Sequence, residues 1–378
     1  MTYLIYAPGI SGHNIEYLGH IWKHICVGRP EDSFVFVTPG RFPSVVAELG
    51  WPELPNVRFD CYSDEEAEVL DSDRKLARSR MICRVLRARI RRHQADMVYV
   101  QFLIETLPLA PFLLPRKARM TGIIYKIYLY EWKESSRLRK LAHVCKYWLF
   151  ARSKRYASVL LLNDPVSARL LCKLYRTDKF RPITDPFMEL QRKGESFRSL
   201  HGIAGDAVVL SHFGTLQRRK GTMAIVESLK LLDAQERSRY VFVFAGKVME
   251  DIKEEFYRKM DGIREVRTVV LDGFLPYDEL ADLIVASDAL LIPYLETGQS
   301  SGLVAYASEF GVPVVAPASG MIGKLVRRYH LGLTISEVSP DALHAAYGKI
   351  QDAGRPGTAY CESHTVTEFT SVLSDALR

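Results

Sequence analysis

The chain has 378 residues, too many for one ordinary core and suited to two α/β domains of roughly 150 to 200 residues each. With 48% apolar and 25% charged residues, it is neither a disordered nor a collagenous chain. The formal charge of +7 arises from 51 basic against 44 acidic residues, and the excess lies mostly in the first half, which turns that half toward an anionic surface. Six cysteines (Cys26, Cys61, Cys83, Cys145, Cys172, Cys361) show no CxxC spacing and predict buried free thiols in a reducing cytosol rather than a zinc knuckle or a disulfide framework.

In chain order, "MTYLIYAPG" has too short an apolar part for a signal peptide and reads as a first strand. Short apolar runs at 3–7, 33–38, 97–102, 122–128 and 158–163 alternate with helix-length segments such as 14–27 and 74–93, the β-α-β-α rhythm of a parallel sheet covered on both faces. The stretch 97–115 contains Glu105 and three prolines, which suits a buried strand and a loop better than a membrane span. Asp164-Pro165 predicts a capped helix start, with the helix running over 166–175. Pro182 and Pro186 then predict a stiff extended connector and a domain boundary. The second half repeats the rhythm, with strands at 207–214, 240–246, 267–273, 289–294 and 312–316 and helices near 222–234, 250–260, 277–286 and 301–310. The expected organisation is residues 1–184, residues 185–360, and a terminal helix, 361–378, that packs back on the first domain.

Ligands of doubly wound sheets bind outside the carboxyl ends of the strands, so the strand-to-helix loops of the second half are candidate site walls. "HFGTLQRRKG" (212–221) closes a strand on Gly214 and presents Arg218, Arg219 and Lys220, cations suited to a diphosphate. "LETGQSSG" (295–302) leads into a helix, so Ser300, Ser301, Gly302 and Leu303 stand where free amides and the positive helix end face outward. Taken alone, Ser300 or Ser301 reads first as an ordinary helix cap, since serine caps are common; the neighbouring cation loop turns the reading toward phosphate. Gly246 and Gly273 end two further strands; Phe274 lies under a base or ribose if those loops hold the phosphates, or else packs into the core.

The ordered series "FGTLQRRKG", "FVFAG", "LDGFLPYDELADLIVASDALLIPY" and "SSGLVAYASEFGVPVVAPASG", over residues 207–335, resembles the nucleotide-sugar half of family 4 glycosyltransferases. That resemblance implies an α/β, GT-B architecture: two Rossmann-like doubly wound parallel-sheet domains facing across a cleft. It places Lys220 where the family's diphosphate-binding lysine stands, and Thr215 where an arginine is usual, so Arg218 or Arg219 is the candidate substitute. Aligned on "GVPVVA", the family's paired glutamates fall at Gly298 and Tyr306, and neither Glu296 nor Glu309 restores their spacing; Glu309 reads as solvent-facing. A subset of similar enzymes replaces the pair with "SSG" and relies on backbone amides. On the acceptor side, "PGISGHNIEYL" puts Gly12 and His13 in the place of the family's glycine-rich loop, and Tyr130 and Glu131 lie where many relatives carry a histidine.

The resemblance thus implies a retaining hexosyltransferase acting from a nucleoside-diphosphate sugar onto a glycan or polyprenyl-linked acceptor in surface polysaccharide synthesis, without a metal or other cofactor. Candidate catalytic residues are His13, Lys220 and Arg219; Glu296 and Tyr306 join the donor-side loops. Two rivals share these loops: a nucleotide-sugar epimerase, and a non-catalytic partner of a glycosyltransferase. The segments 74–93 and 137–157 mix cations with Leu, Ile, Trp148 and Phe150, which reads either as a basic face on an anionic membrane or as helices covering the sheet. No recognition-helix or aromatic-laced motif points to nucleic acid. The expected location is cytoplasmic, peripheral on the inner face of the membrane.

Overall fold

A computed structural model describes residues 1–378 apart from Ser11, Gly12, Asp73, Glu134, Met188, Glu195, Arg264 and the side chain of His13. The chain divides into two units, Met1–Pro186 with Val366–Arg378, and Phe187–Thr365.

The first unit is built on β1 (Thr2–Tyr6), β2 (Ser33–Val37), β3 (Val57–Phe59), β4 (Met97–Val100), β5 (Arg119–Ile124), β6 (Val159–Leu162) and β7 (Phe180–Ile183). They form one sheet in the order β3-β2-β1-β4-β5-β6-β7, with parallel neighbours throughout. Its longer helices are α1 (His13–His20), α2 (Lys75–His93), α3 (Arg137–Arg152) and α4 (Pro165–Tyr175). The second unit holds β8 (Val208–Phe213), β9 (Tyr240–Ala245), β10 (Arg267–Leu271), β11 (Ala289–Leu291), β12 (Val314–Pro317) and β13 (Gly332–Ile335), in the order β10-β9-β8-β11-β12-β13. Its helices include α5 (Thr222–Ser228), α6 (Lys253–Asp261), α7 (Tyr277–Ala286), α8 (Leu303–Phe310) and α9 (Gly320–Tyr329). The last helix, α10 (Val366–Ala376), adds Phe369 and Leu373 to the first unit's core beside Tyr17, Ile21 and Trp22.

The strands form because near-continuous apolar runs such as "VLLL" and "YVFVFA" can satisfy their backbone only in a ladder buried on both faces. Asp164 caps α4 by accepting the Ser167 amide at 2.9 Å, with Pro165 in the first helical position. Part of the expected extended connector is a strand: residues 180–183 form β7, where Pro182 pairs with Leu161. A proline is compatible with the ladder there because β7 is the sheet edge and its outer side needs no donor. The short strands β3 and β13 lack the length and apolar run that reveal the others. After β4, the stretch to residue 115 folds into single turns at Leu103–Thr106 and Ala110–Leu113. Among the described residues, no helix is long and apolar enough to cross a membrane.

In the second sheet the strand order reverses between β8 and β11, and in the first between β1 and β4. Outgoing loops on either side of such a reversal diverge, which opens a crevice at the carboxyl end of the sheet.

Candidate functional site: the β8/β11 rim of the second unit

The parallel ladder of the second sheet runs one residue beyond its strands: the Gly214 amide donates to Ala245 O and the Gly246 amide to Leu271 O, both at 2.9 Å. Gly246 has φ 136°, and a Cβ there would stand 2.0 Å from the Gly214 carbonyl oxygen. Only glycine lets these two turns approach so closely.

From Gly214 the chain crosses to Arg218–Lys220 and reaches α5 through Gly221, whose φ of 75° again fits glycine; a Cβ would meet Pro293 O at 2.0 Å. That contact locks the β8 loop against the β11 loop, and the Leu295 amide donates to Arg219 O at 2.9 Å across the same seam. A buried latch closes the loop from below. The Thr222 hydroxyl lies 2.9 Å from His212 Nε2 and 3.1 Å from both the amide and the carbonyl of Gln217. His212 Nδ1 lies 2.8 Å from Leu291 O, and burial pushes the imidazole down to about 4, so it is neutral near pH 7.

The Lys220 ammonium lies 5.6 Å from the ring centroid of Tyr294, in a cation–π arrangement, and beside Gly214, whose absent Cβ leaves it room. Tyr294 is buried, and its hydroxyl accepts from Ser301 Oγ at 3.3 Å. One side chain thus joins the lysine loop to the serine loop. Ser301 is itself buried and its Oγ accepts the Leu303 amide at 3.4 Å, while Gly302 caps α8 without a side-chain bond. The Thr297 carbonyl accepts the Met321 amide at 2.7 Å, which anchors the middle of this loop on the first turn of α9. The rim therefore joins one ammonium, a left-handed turn and the start of α8 through Tyr294, groups whose chemistry suits an anion such as a diphosphate.

The two expected substitute cations are placed differently. Arg218 pairs with Glu255 at 2.6 Å, and its amide donates to Asp251 at 3.3 Å, which turns it toward α6; the Glu255 carboxylate raises its pKa. Its guanidinium is thus held by Glu255 of α6. Arg219 bonds Gln217 Oε1 at 3.1 Å and stays beside the loop. Thr215 lies in that loop and Gly273 opens onto free space. Phe274 is 81% exposed, which excludes the core alternative and leaves its face available to a planar ligand. Glu296 is exposed, Ser300 and Tyr306 are half-buried, and all three have polar or ring contacts within the chain. Glu309 is not solvent-facing: Oε1 accepts the Leu190 amide at 3.1 Å, Oε2 is buried without a partner, and burial pushes the carboxyl up to about 7.

On the first sheet, Gly12 and the His13 side chain lie outside the described residues; the backbone of His13 opens α1. The Tyr130 hydroxyl donates to Asp164 Oδ2 at 2.6 Å, and Glu131 pairs with Lys126 at 2.6 Å. Gln101, which sequence reasoning did not single out, is fully buried at the β1/β4 reversal, its Nε2 bonded to Asn14 O at 3.2 Å. Tyr294, His212 and Thr222 were also missed; their place beside strand ends was legible, but their partners lie across loops that only the fold brings together.

Residues 195–353 match the family described as glycosyl transferases group 1. A D-inositol 3-phosphate glycosyltransferase of Streptomyces griseus is 28% identical over 245 residues, covering 57% of this chain and 51% of that protein, so the match spans about half of the relative's length. Two solved structures share the whole fold. One is WaaG, a glycosyltransferase of lipopolysaccharide biosynthesis, with TM-score 0.69, 14% identity and coverage of 100% of this chain and 99% of the other. The other is Alr3699/HepE of Anabaena in complex with UDP-glucose, with TM-score 0.69, 16% identity and the same coverage. The match to glycosyl transferases group 1 thus lies within the second unit, and the chain as a whole shares the GT-B fold of two Rossmann-like units with these solved structures.

Proposed function

We propose that the protein transfers a sugar from a nucleoside-diphosphate sugar to a glycan or polyprenyl-linked acceptor in surface polysaccharide synthesis, with retention at the anomeric carbon. The observation that carries this reading is the joining of Lys220 to the Ser301 loop through Tyr294 at the β8/β11 reversal. Because a related fold was solved with UDP-glucose, that donor is the first to try. In the reaction the bond from the anomeric carbon to the diphosphate breaks and the acceptor oxygen bonds to the same face. The departing phosphate takes the acceptor's proton. Lys220 and the first amides of α8 stabilise the charge that develops on the leaving group, and no metal or other cofactor is assigned a role. The reading includes a cytoplasmic location and contact with the inner face of the membrane, beside a lipid-linked acceptor.

Lys220→Ala tests the site. It is expected to lower turnover about 100-fold, or about 2.7 kcal/mol of barrier, with an unchanged melting temperature. Arg218→Ala, whose guanidinium faces Glu255, is expected to leave turnover within about threefold. Equal turnover in parent and Lys220→Ala would remove the diphosphate assignment. Conversion of the donor sugar without an acceptor would establish an epimerase, and no heat of binding with UDP or other nucleoside diphosphates would establish a non-catalytic partner.

A further inference from the structure

Two basic helical segments stood out in the sequence, and the structure separates them. Most apolar residues of α2, Ile82, Cys83, Val85, Leu86 and Ile90, are buried; Leu76 in its first turn is exposed, and Arg80, Arg84, Arg87 and Arg91 border, with Ala77 and Met81, a groove of about 730 Å³. That helix covers the sheet. In α3 the pattern is reversed: Leu138, Leu141 and Trp148 are 81%, 60% and 51% exposed, while Tyr147 and Phe150 take the inward positions. The next helix repeats this, with Val166, Leu170 and Leu174 all at least half exposed and Ala168, Leu171 and Tyr175 buried. The helices are neighbours: Tyr175 OH lies 3.2 Å from Tyr128 OH and donates to Val144 O of α3 at 3.5 Å.

At 100° per residue, each exposed triplet spans an arc of about 80°, a stripe rather than a scatter. The sequences of α3 and α4, RLRKLAHVCKYWLFAR and PVSARLLCKLY, contain no acidic residue. Arg137, Arg139, Lys146, Arg152, Arg169 and Lys173 flank the stripes, and among the described residues none of these side chains is held in an ion pair. Lys75 adds a further charge close by: the Lys146 ammonium is pushed down by burial and then by Lys75. Six large apolar groups in water, one a tryptophan, on two helices whose charged side chains are all cations have an anionic bilayer as their complement: acyl chains take the stripes and headgroup phosphates take the cations.

We propose that the outward faces of α3 and α4 are the surface by which this protein docks on an anionic lipid bilayer, with Leu138, Leu141, Trp148, Leu170 and Leu174 entering the headgroup boundary. This deepens the membrane contact included in the proposed function. Vesicle binding is read without sugar transfer, so either proposal can fail alone.

The test is flotation of the full chain with vesicles of phosphatidylcholine alone or with about 30% phosphatidylglycerol, at low and high salt. The parent is expected to float only with the anionic vesicles and to be released by salt. Leu138→Glu/Leu141→Glu and Leu170→Glu/Leu174→Glu are each expected to weaken partitioning about tenfold or more without changing the melting temperature, since all four residues face water. Arg84→Glu/Arg87→Glu on α2 is expected to change it by less than about threefold. Trp148 emission, isolated as the difference between the parent and Trp148→Phe, should shift to the blue on binding. The proposal is overturned if the parent does not float, if only the α2 variant abolishes flotation, if the α3 and α4 variants bind as the parent does, or if the stripes prove to pair two copies, seen as a parent dimer that these variants split in sedimentation.

Discussion

The rims of the two sheets solve the same topological problem with different chemistry. At the β8/β11 rim, glycines with φ of 75° and 136° bring loop backbones together, and the Lys220 ammonium faces an aromatic ring. In the first unit, the left-handed residue after β6 is Asn163, φ 57°, whose side chain accepts the Asp185 amide at 2.7 Å. There, too, Tyr130 bonds Asp164, and Lys126 is neutralised by Glu131. The charged groups near the first rim are thus compensated by partners, although Gln101 Oε1, Tyr125 OH and Thr184 Oγ1 remain buried without one, whereas among the described residues no carboxylate pairs with Lys220. The difference singles out Lys220 rather than the adjacent Arg218, which Glu255 already pairs, as the group to test for anion binding.

The comparison can be broken at four points. The largest effect is expected for Gly246→Ala, because a methyl group would meet the Gly214 carbonyl at 2.0 Å and the backbone is left-handed; a loss of about 3 kcal/mol or more in denaturant unfolding is expected. Tyr294→Leu removes both the face under Lys220 and the acceptor for Ser301, and nucleoside-diphosphate affinity by calorimetry is expected to fall about tenfold, roughly 1.4 kcal/mol. Tyr294→Phe keeps the ring and should recover most of that loss. If Tyr294→Leu binds as the parent does, Tyr294 does not join the loops. On the first rim, Tyr130→Phe is expected to cost about 1 kcal/mol of stability by removing a hydrogen bond to the Asp164 cap, with donor affinity unchanged.

The smallest effect concerns Glu309. Its carboxyl is raised from 4.5 to about 7, so between those values the folded state holds a proton that the unfolded chain has released. Its contribution therefore favours folding at low pH and is lost as pH rises through that window. Glu309→Gln, which keeps an oxygen for the Leu190 amide, should flatten this part of the curve of melting temperature against pH. An unchanged slope would show that Glu309 titrates normally.

Much of this was legible because it is local. Continuous apolar runs followed by Gly, Asp-Pro or Ser-Ser-Gly specify buried strands, turns and helix starts through the conformational preferences of a few adjacent residues, and they located the loops that carry Gly214, Lys220 and Ser301. The short edge strands escaped because three or four residues carry too little pattern, and Pro182 argued against a strand that only an edge position permits. Partners distant in the chain were out of reach for another reason. Whether Arg218 met a phosphate or Glu255, whether Tyr294 lay beneath Lys220, and whether the stripe of α3 faced the sheet or water depend on how elements approach in space. Sequence spacing fixes which residues share a helix face; the packing of the helix against its neighbours decides which face is buried, and in α3 it left Leu138, Leu141 and Trp148 outside.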